Sequence, residues 1–253
     1  MHAEWWLLVA LGLTAFLAAS VDAIAGGGGL INVPALLLAG LPVPVALGTN
    51  KLAGIAGQVT ATATFAAARA IRWQLVLVGA VAALAGALLG TRTVLHVDQS
   101  ILRIIVSALL LGVSTFAAFQ PQFGTRPGPV AERSVWRSAA IGLTTGFYDG
   151  FFGPGAGMFM IFLLVAWLGL DFLAASGAAK VMNFASNLGA VIVFASAGSI
   201  DYRIGVVMAA GALAGGFGGS RLAIMRGARF VKYVFLAVAW LAAGRLLWQA
   251  LHR

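Results

Sequence analysis

Long apolar runs separated by short polar gaps set the pattern of this chain. The runs fall at 5–25, 30–40, 45–68, 73–95 and 100–119, and again at 136–152, 156–169, 173–198, 204–224 and 229–250. Most reach about 20 residues, which at about 1.5 Å per residue crosses about 30 Å of hydrocarbon. The runs at 30–40 and 156–169 are too short for that. Each follows a glycine cluster, Gly26–Gly29 in one case and Gly153-Pro-Gly-Ala-Gly157 in the other. The pattern predicts an all-α polytopic membrane protein of about 8–10 transmembrane segments, including short broken helices. The N-terminal segment carries Glu4 and no Lys or Arg, so the first run reads as a membrane helix with Trp5 and Trp6 as interfacial anchors rather than as a signal peptide.

The two series are a repeat. Asp22 and Gly26 recur 127 residues later as Asp149 and Gly153. From there the offset is 129, pairing Gly48 with Gly177, Lys51 with Lys180, Phe65 with Phe194, Gly86 with Gly215, Gly90 with Gly219, Arg92 with Arg221, and Arg103 with Lys232. Chance in a Gly/Ala/Leu-rich chain accounts for the glycines but not for matched lysines inside apolar runs. The predicted organisation is an N-terminal repeat at 1–119, a polar Pro/Gly linker at 120–135 and a C-terminal repeat at 136–253.

Composition narrows the class. The 253 residues are 61% hydrophobic and only 9% charged, with a mean hydropathy of +1.00; a soluble domain carries about 25% charged residues. There is no cysteine, and His2, His96 and His252 have no metal-ligand spacing, so no metal or cofactor is expected. No GxxxxGK[ST] sequence occurs, which argues against ATP hydrolysis on a P-loop. An intramembrane enzyme lacks a nucleophile-plus-base pair, so the chain is not read as an enzyme.

The 16 Lys plus Arg outnumber the 7 Asp plus Glu. They lie mostly in the gaps between runs, where they orient a membrane protein rather than bind nucleic acid. If the short runs do not cross, each half makes four crossings and the halves are parallel. If they cross, each half makes five and the halves are inverted. Then Arg69, Arg72, Arg126, Arg133, Arg137, Arg221, Arg226, Arg229 and Lys232 share one side, leaving chiefly Arg92, Arg203, Arg245 and Arg253 opposite. The inverted layout fits the positive-inside rule better, with the linker cytoplasmic and both termini outside.

Ionisable groups in hydrocarbon cost about 2.5–3.5 kcal/mol on insertion scales, so they mark function. Asp22, Lys51, Asp149 and Lys180 are such groups. Lys180, Asn183 and Asn187 are spaced to share one helix face; Lys51, Gly54 and Gln58 hold the equivalent places, preceded by Thr49 and Asn50. Two ammonium groups with amide donors suit an anion with several oxygens. The alternative is that the lysines snorkel, or pair with Asp22 or Asp149 to hold the bundle. The glycines, Gly27, Gly28 and Gly29 with Gly155 and Gly157, would let backbone N–H groups at the starts of broken helices approach that anion, or serve tight helix packing. Asp22 and Asp149 are candidate proton carriers, or else counter-ions and helix caps. Gly86-x-x-x-Gly90 and Gly215-x-x-x-Gly219 suit internal helix packing more than a homodimer interface. Tyr148 and Trp167 read as lining or packing residues.

Two segments carry a resemblance: DAIAGGGGLINVPALLLAGLPVPVALGTNKLAG at 22–54 and DGFFGPGAGMFMIFLLVAWLGLDFLAASGAAKVMNFASNLGA at 149–190. The glycine-rich break, GTNK and the later K-x-x-N-F-x-S-N run resemble the TauE/SafE family of membrane permeases, also called the toluene-sulfonate uptake permease family. The resemblance covers nearly the whole chain. It implies a multi-pass bacterial inner-membrane transporter of two homologous halves. It implies substrates among sulfur-containing anions (sulfite, sulfoacetate or other organosulfonates), with sulfite export the activity most linked to the family name. The second half has Ala178-Ala179-Lys180 where the first has Thr49-Asn50-Lys51, so the site is asymmetric and Asn183 is a candidate replacement for Asn50. The functional expectation is a secondary transporter working by alternating access, its partners a small anion and the lipid bilayer. A passive anion channel, or a transporter of another small anion or organic acid, is the alternative.

Overall fold

The computed structural model describes residues 2–94, 123–127 and 135–251. The run at 100–119 and most of the linker, with His96, Arg103, Arg133, His252 and Arg253, lie outside the described residues, as do the side chains of His2, Glu4 and Arg245. The described chain is helical: α1 (His2–Ala25), α2 (Gly29–Leu38), α3 (Val43–Ala67), α4 (Trp73–Val94), α5 (Val135–Phe151), α6 (Ala156–Leu168), α7 (Phe172–Ser196) and α8 (Tyr202–Leu251). The runs at 204–224 and 229–250 are two arms of α8 that meet at a break, Gly227, where φ is +75°. Three of these helices, taken as Trp5–Ala25, Trp73–Val94 and Phe172–Ser196, are long and apolar enough to cross a bilayer. Large apolar side chains face outward, Leu38 at 84% exposure among them, while Lys51, Asp149 and Lys180 are buried. That inversion of the soluble arrangement fits lipid as the surrounding solvent.

The repeat offset holds at the helix boundaries. Val43, Ala67 and Trp73 begin or end α3 and α4; 129 residues later Phe172, Ser196 and Tyr202 do the same for α7 and α8. The halves do not pack as separate units. The most extensive interfaces are α1 on α8 and α4 on α5, each joining one half to the other. Small residues allow these close approaches. Gly211, Gly215 and Gly219 abut Gly12, Phe16 and Ser20 in register, so α1 and the first arm of α8 run parallel. Gly142, Gly146 and Gly150 meet Gly79, Ala83 and Ala87 in the same way, so α4 and α5 run parallel. The two GxxxG pairs are used here, Gly86 and Gly90 against Leu143 and Phe147 of α5, and Gly215 and Gly219 against α1.

Directions follow from further contacts. Gly205 lies against Thr49 and Leu52, and Gly216 against Gly57 and Thr60, so α3 runs with α1 and α8. The short α2 between α1 and α3 must therefore carry the chain back. Gly48 packs on Phe194 and Gly177 on Phe65, so α3 and α7 are antiparallel. These four residues are mates at the 129 offset, so the contact is reciprocal. Gln58 and Asn187, also mates 129 residues apart, meet each other through Asn187 Nδ2 donating to Gln58 Oε1 at 3.1 Å.

The C-terminal turn of α3 departs from its mate in one respect. Gly198, after α7, sits at φ +63°, while its counterpart after α3 is Arg69 at φ +55°. Both close the helix alike: Ser199 N–H donates to the Phe194 carbonyl at 2.8 Å and Ala70 N–H to that of Phe65 at 3.0 Å. An L residue in the left-handed region costs about 1 kcal/mol or more. Arg69→Gly is expected to stabilise the protein by about 1 kcal/mol, read as a higher thermal midpoint in detergent, and Gly198→Arg to lower it by a similar amount.

Candidate functional site

α1 and α5 each end at a glycine break. Gly26 and Gly153 take φ of +82° and +87°, which lets the chain leave one helix and start α2 or α6 within a few residues. The two breaks touch, since Gly26 lies against the backbone of Gly157 and Met158. A helix that ends inside the bundle leaves carbonyls without partners. For α1 these are met by α7: Ser176 Oγ donates to the Ile24 carbonyl at 2.8 Å and Lys180 Nζ to the Asp22 carbonyl at 2.6 Å. At the second break Thr91 Oγ1 donates to the Gly150 carbonyl at 3.2 Å, and the Tyr148 hydroxyl fixes the loop by donating to the Pro154 carbonyl at 2.8 Å.

The four intramembrane charges form two ion pairs, both between halves. Lys51 Nζ lies 2.5 Å from Asp149 Oδ1, and Lys180 Nζ lies 2.7 Å from Asp22 Oδ2. The Lys of each half thus takes the Asp of the other. An unpaired charge here would carry the full desolvation cost, and pairing removes most of it. The consequence for chemistry is that the constellation is neutral overall. The lysines do not stand as two free ammonium groups.

Between the breaks and α3, α7 and α8 lies a small cleft, open at its mouth. Lys51, Asn50, Gln58, Asn183, Asn187, Asp22 and Asp149 line it, together with Gly28, Gly29, Gly155 and Gly157. Lys180 is fully buried behind Asp22. Two expected residues are elsewhere. Thr49 accepts a hydrogen bond from Asp201 N–H at 2.9 Å, at the start of α8. Gly27 packs against Val238 in the second arm of α8. Outside the cleft, Trp167 stacks edge-on with Trp136 at 5.4 Å.

Two residues enter the site that the sequence pattern did not mark. Asn32 of α2 lines the cleft at 5% exposure, and its Oδ1 is buried with no hydrogen-bond partner. Its repeat counterpart at the 127 offset is Phe159, so the internal comparison could not find it. Ser186 donates to Asp149 Oδ2 at 2.5 Å. Its position three residues after Asn183 on the Lys180 face was the available signal.

A chain with paired lysines in a broken-helix bundle can be set beside known proteins. The family described as "Sulfite exporter TauE/SafE" matches residues 11–246. The chain belongs to this family. Among TauE/SafE relatives, a "Probable membrane transporter protein" of Haemophilus influenzae is 33% identical, covering 96% of this chain and 95% of its own. "Probable membrane transporter protein ORF9" of a Sinorhizobium species is 36% identical over 97% and 94% of the two chains. "Probable membrane transporter protein YfcA" of Escherichia coli K12 is 31% identical over 96% and 91%. No solved structure matches. The TauE/SafE assignment makes the chain a member of a membrane-transporter family, with its helical bundle as the scaffold.

Proposed function

We propose that this protein is a secondary transporter of small sulfur-containing anions, sulfite or organosulfonates, working as an exporter in the bacterial inner membrane. One observation carries the reading: a cleft at the meeting of two helix breaks, lined by charges and amides, with the buried Asn32 Oδ1 left unpaired among the described residues. Asn50 and Asn183 line the cleft beside it. Buried polar groups are normally satisfied, so an unpaired amide beside a cleft suits a ligand. Lys51 and the amide N–H groups supply donors to oxyanion oxygens, and the N-terminal ends of α2 and α6 add their dipoles. The family description supports the sulfur-anion class and the outward direction.

Because the ion pairs are neutral together, an anion enters at least electrostatic cost when a proton comes with it. Asp22 and Asp149 are the candidate proton acceptors in the cleft; anion and proton then move in the same direction, so outward movement is driven by the anion's own gradient against the inward proton gradient. Alternating access then follows from movement of one repeat against the other. The antiparallel crossing of α3 and α7 supports inverted halves. In that layout the ends of α3, the start of α5 and the end of the first arm of α8 gather Arg69, Arg72, Arg126, Arg137, Arg221 and Arg226 on the cytoplasmic side.

The test is flux in proteoliposomes. Wild type is expected to carry sulfite, with organosulfonates competing, and Lys51→Ala to lower the rate by two orders of magnitude or more. Unchanged flux in a folded Lys51→Ala protein overturns the site.

A further inference from the structure

The two ion pairs are mates by the repeat, but their surroundings differ. Asp149 has both oxygens engaged, Oδ1 by Lys51 at 2.5 Å and Oδ2 by the Ser186 hydroxyl at 2.5 Å, and its side chain is 4% exposed. That hydroxyl also lies 3.0 Å from the Asn183 carbonyl, but a hydrogen bond to a carboxylate is the stronger. The repeat mate of Ser186 is Gly57. Asp22 therefore receives no hydroxyl. Among the described residues its Oδ1 accepts one hydrogen bond, from Gly28 N–H at 3.2 Å, and its side chain is 17% exposed. Where Ser186 fills the second half, Gly57 leaves the cleft open beside Ala19 and Ala212.

Hydrogen bonds to the charged form of a carboxyl hold it charged. The charged groups facing Asp22 are Lys180 of α7 and, at longer range, Lys51 of α3; Asp149 of α5 lies beyond Lys51 on the same cleft. Among the described residues, α2, α6 and α8 line the cleft with no titratable side chain.

We propose that the pairs have divided labour: Asp22 is the exchangeable proton site, and Ser186 holds Asp149 as a permanent counter-ion to Lys51. This rests on reading the cleft as a proton-coupled anion site. A proton from the cleft water binds Asp22, which then no longer balances Lys180. The four charges change from neutral to a net single positive, so the charge of the buried Lys180 is no longer offset and the field in the cleft favours an anion near the Gly28 N–H. Loss of that proton to water on the other side restores the pair and discharges the anion. Ser186 acts as a positioning residue through Asp149.

The experiment needs no transported anion. The full chain in lipid is titrated from neutral to acid pH by infrared difference spectroscopy, following the C=O stretch of a desolvated protonated carboxyl. The band is expected in wild type, absent in Asp22→Asn and retained in Asp149→Asn. Ser186→Ala is expected to add a second titrating band. Gly57→Ser, whose Cβ would meet the Ala212 carbonyl at 3.1 Å and Ala19 Cβ at 3.2 Å, requires those neighbours to give by a few tenths of an ångström. It is expected to weaken proton affinity at Asp22 by about tenfold. A band lost in Asp149→Asn but kept in Asp22→Asn, lost in neither, or absent from wild type overturns the proposal. So does an unshifted band in a folded Gly57→Ser protein, which covers the case of Asp22→Asn failing to fold. Failure of the anion site itself is seen separately, as unchanged flux in Lys51→Ala beside a normal Asp22 band.

Discussion

Lys180→Ala lowers stability by about 3–5 kcal/mol, because it leaves Asp22 charged beside α7 with its principal partner gone. It also removes one of two donors to the Asp22 carbonyl, leaving Gly26 N–H at 2.8 Å after Lys180 at 2.6 Å is lost. Asp22→Ala alone strands a fully buried ammonium and costs a similar amount. The double variant Lys180→Ala/Asp22→Ala strands neither charge, and is expected to recover more than half of either single loss. Thermal unfolding in one detergent across the four proteins measures this coupling. Transport separates the roles: flux stays lost in the double variant although the fold is largely restored. If the double variant were as unstable as the sum of the singles, the pair would not be a coupled unit.

Gly26→Ala is expected to be among the most damaging small substitutions at the described residues. The residue holds φ +82°, and an added Cβ would run into the Gly157 and Met158 backbone, where the two helix breaks meet. Backbone cannot swing away as a side-chain tip can. The left-handed conformation alone costs about 1 kcal/mol for Ala; the clash adds several more or separates the breaks. Gly40→Ala is the matched control. Gly40 has φ +88° with nothing within 4 Å of an added Cβ, so only the conformational cost applies. Expression and thermal midpoint are expected to fall sharply for the first and by a few degrees for the second. Equal effects in both would mean that the contact between the breaks contributes nothing.

Much of this architecture could be read from the residues. Asp22, Lys51, Asp149 and Lys180 were conspicuous because charge is costly in hydrocarbon, and the internal offset tied them together. The alternatives for the lysines could not be separated by sequence, since pairing depends on which helices cross. The crossing of α3 and α7 brings Lys51 to Asp149 rather than leaving it free. Thr49 shows how spacing misleads. It stands two residues before Lys51, and two residues on a helix turn through about 200°, so it faces Asp201 at the start of α8 instead. Asn32 escaped notice for the opposite reason. A single amide in a short apolar run, with no counterpart in the other half, gives no periodic signal. Ser186 looked like an ordinary helical hydroxyl until Asp149 was seen against it.

The crossed ion pairs make each repeat incomplete alone. One repeat on its own holds a Lys and an Asp that do not meet each other. Its charges would be satisfied only by a twin lying antiparallel to it. A single-repeat protein of this design would be obliged to assemble in pairs. Carrying both sets of charges in one chain leaves the surroundings of the two carboxylates free to differ, as Gly57 and Ser186 do.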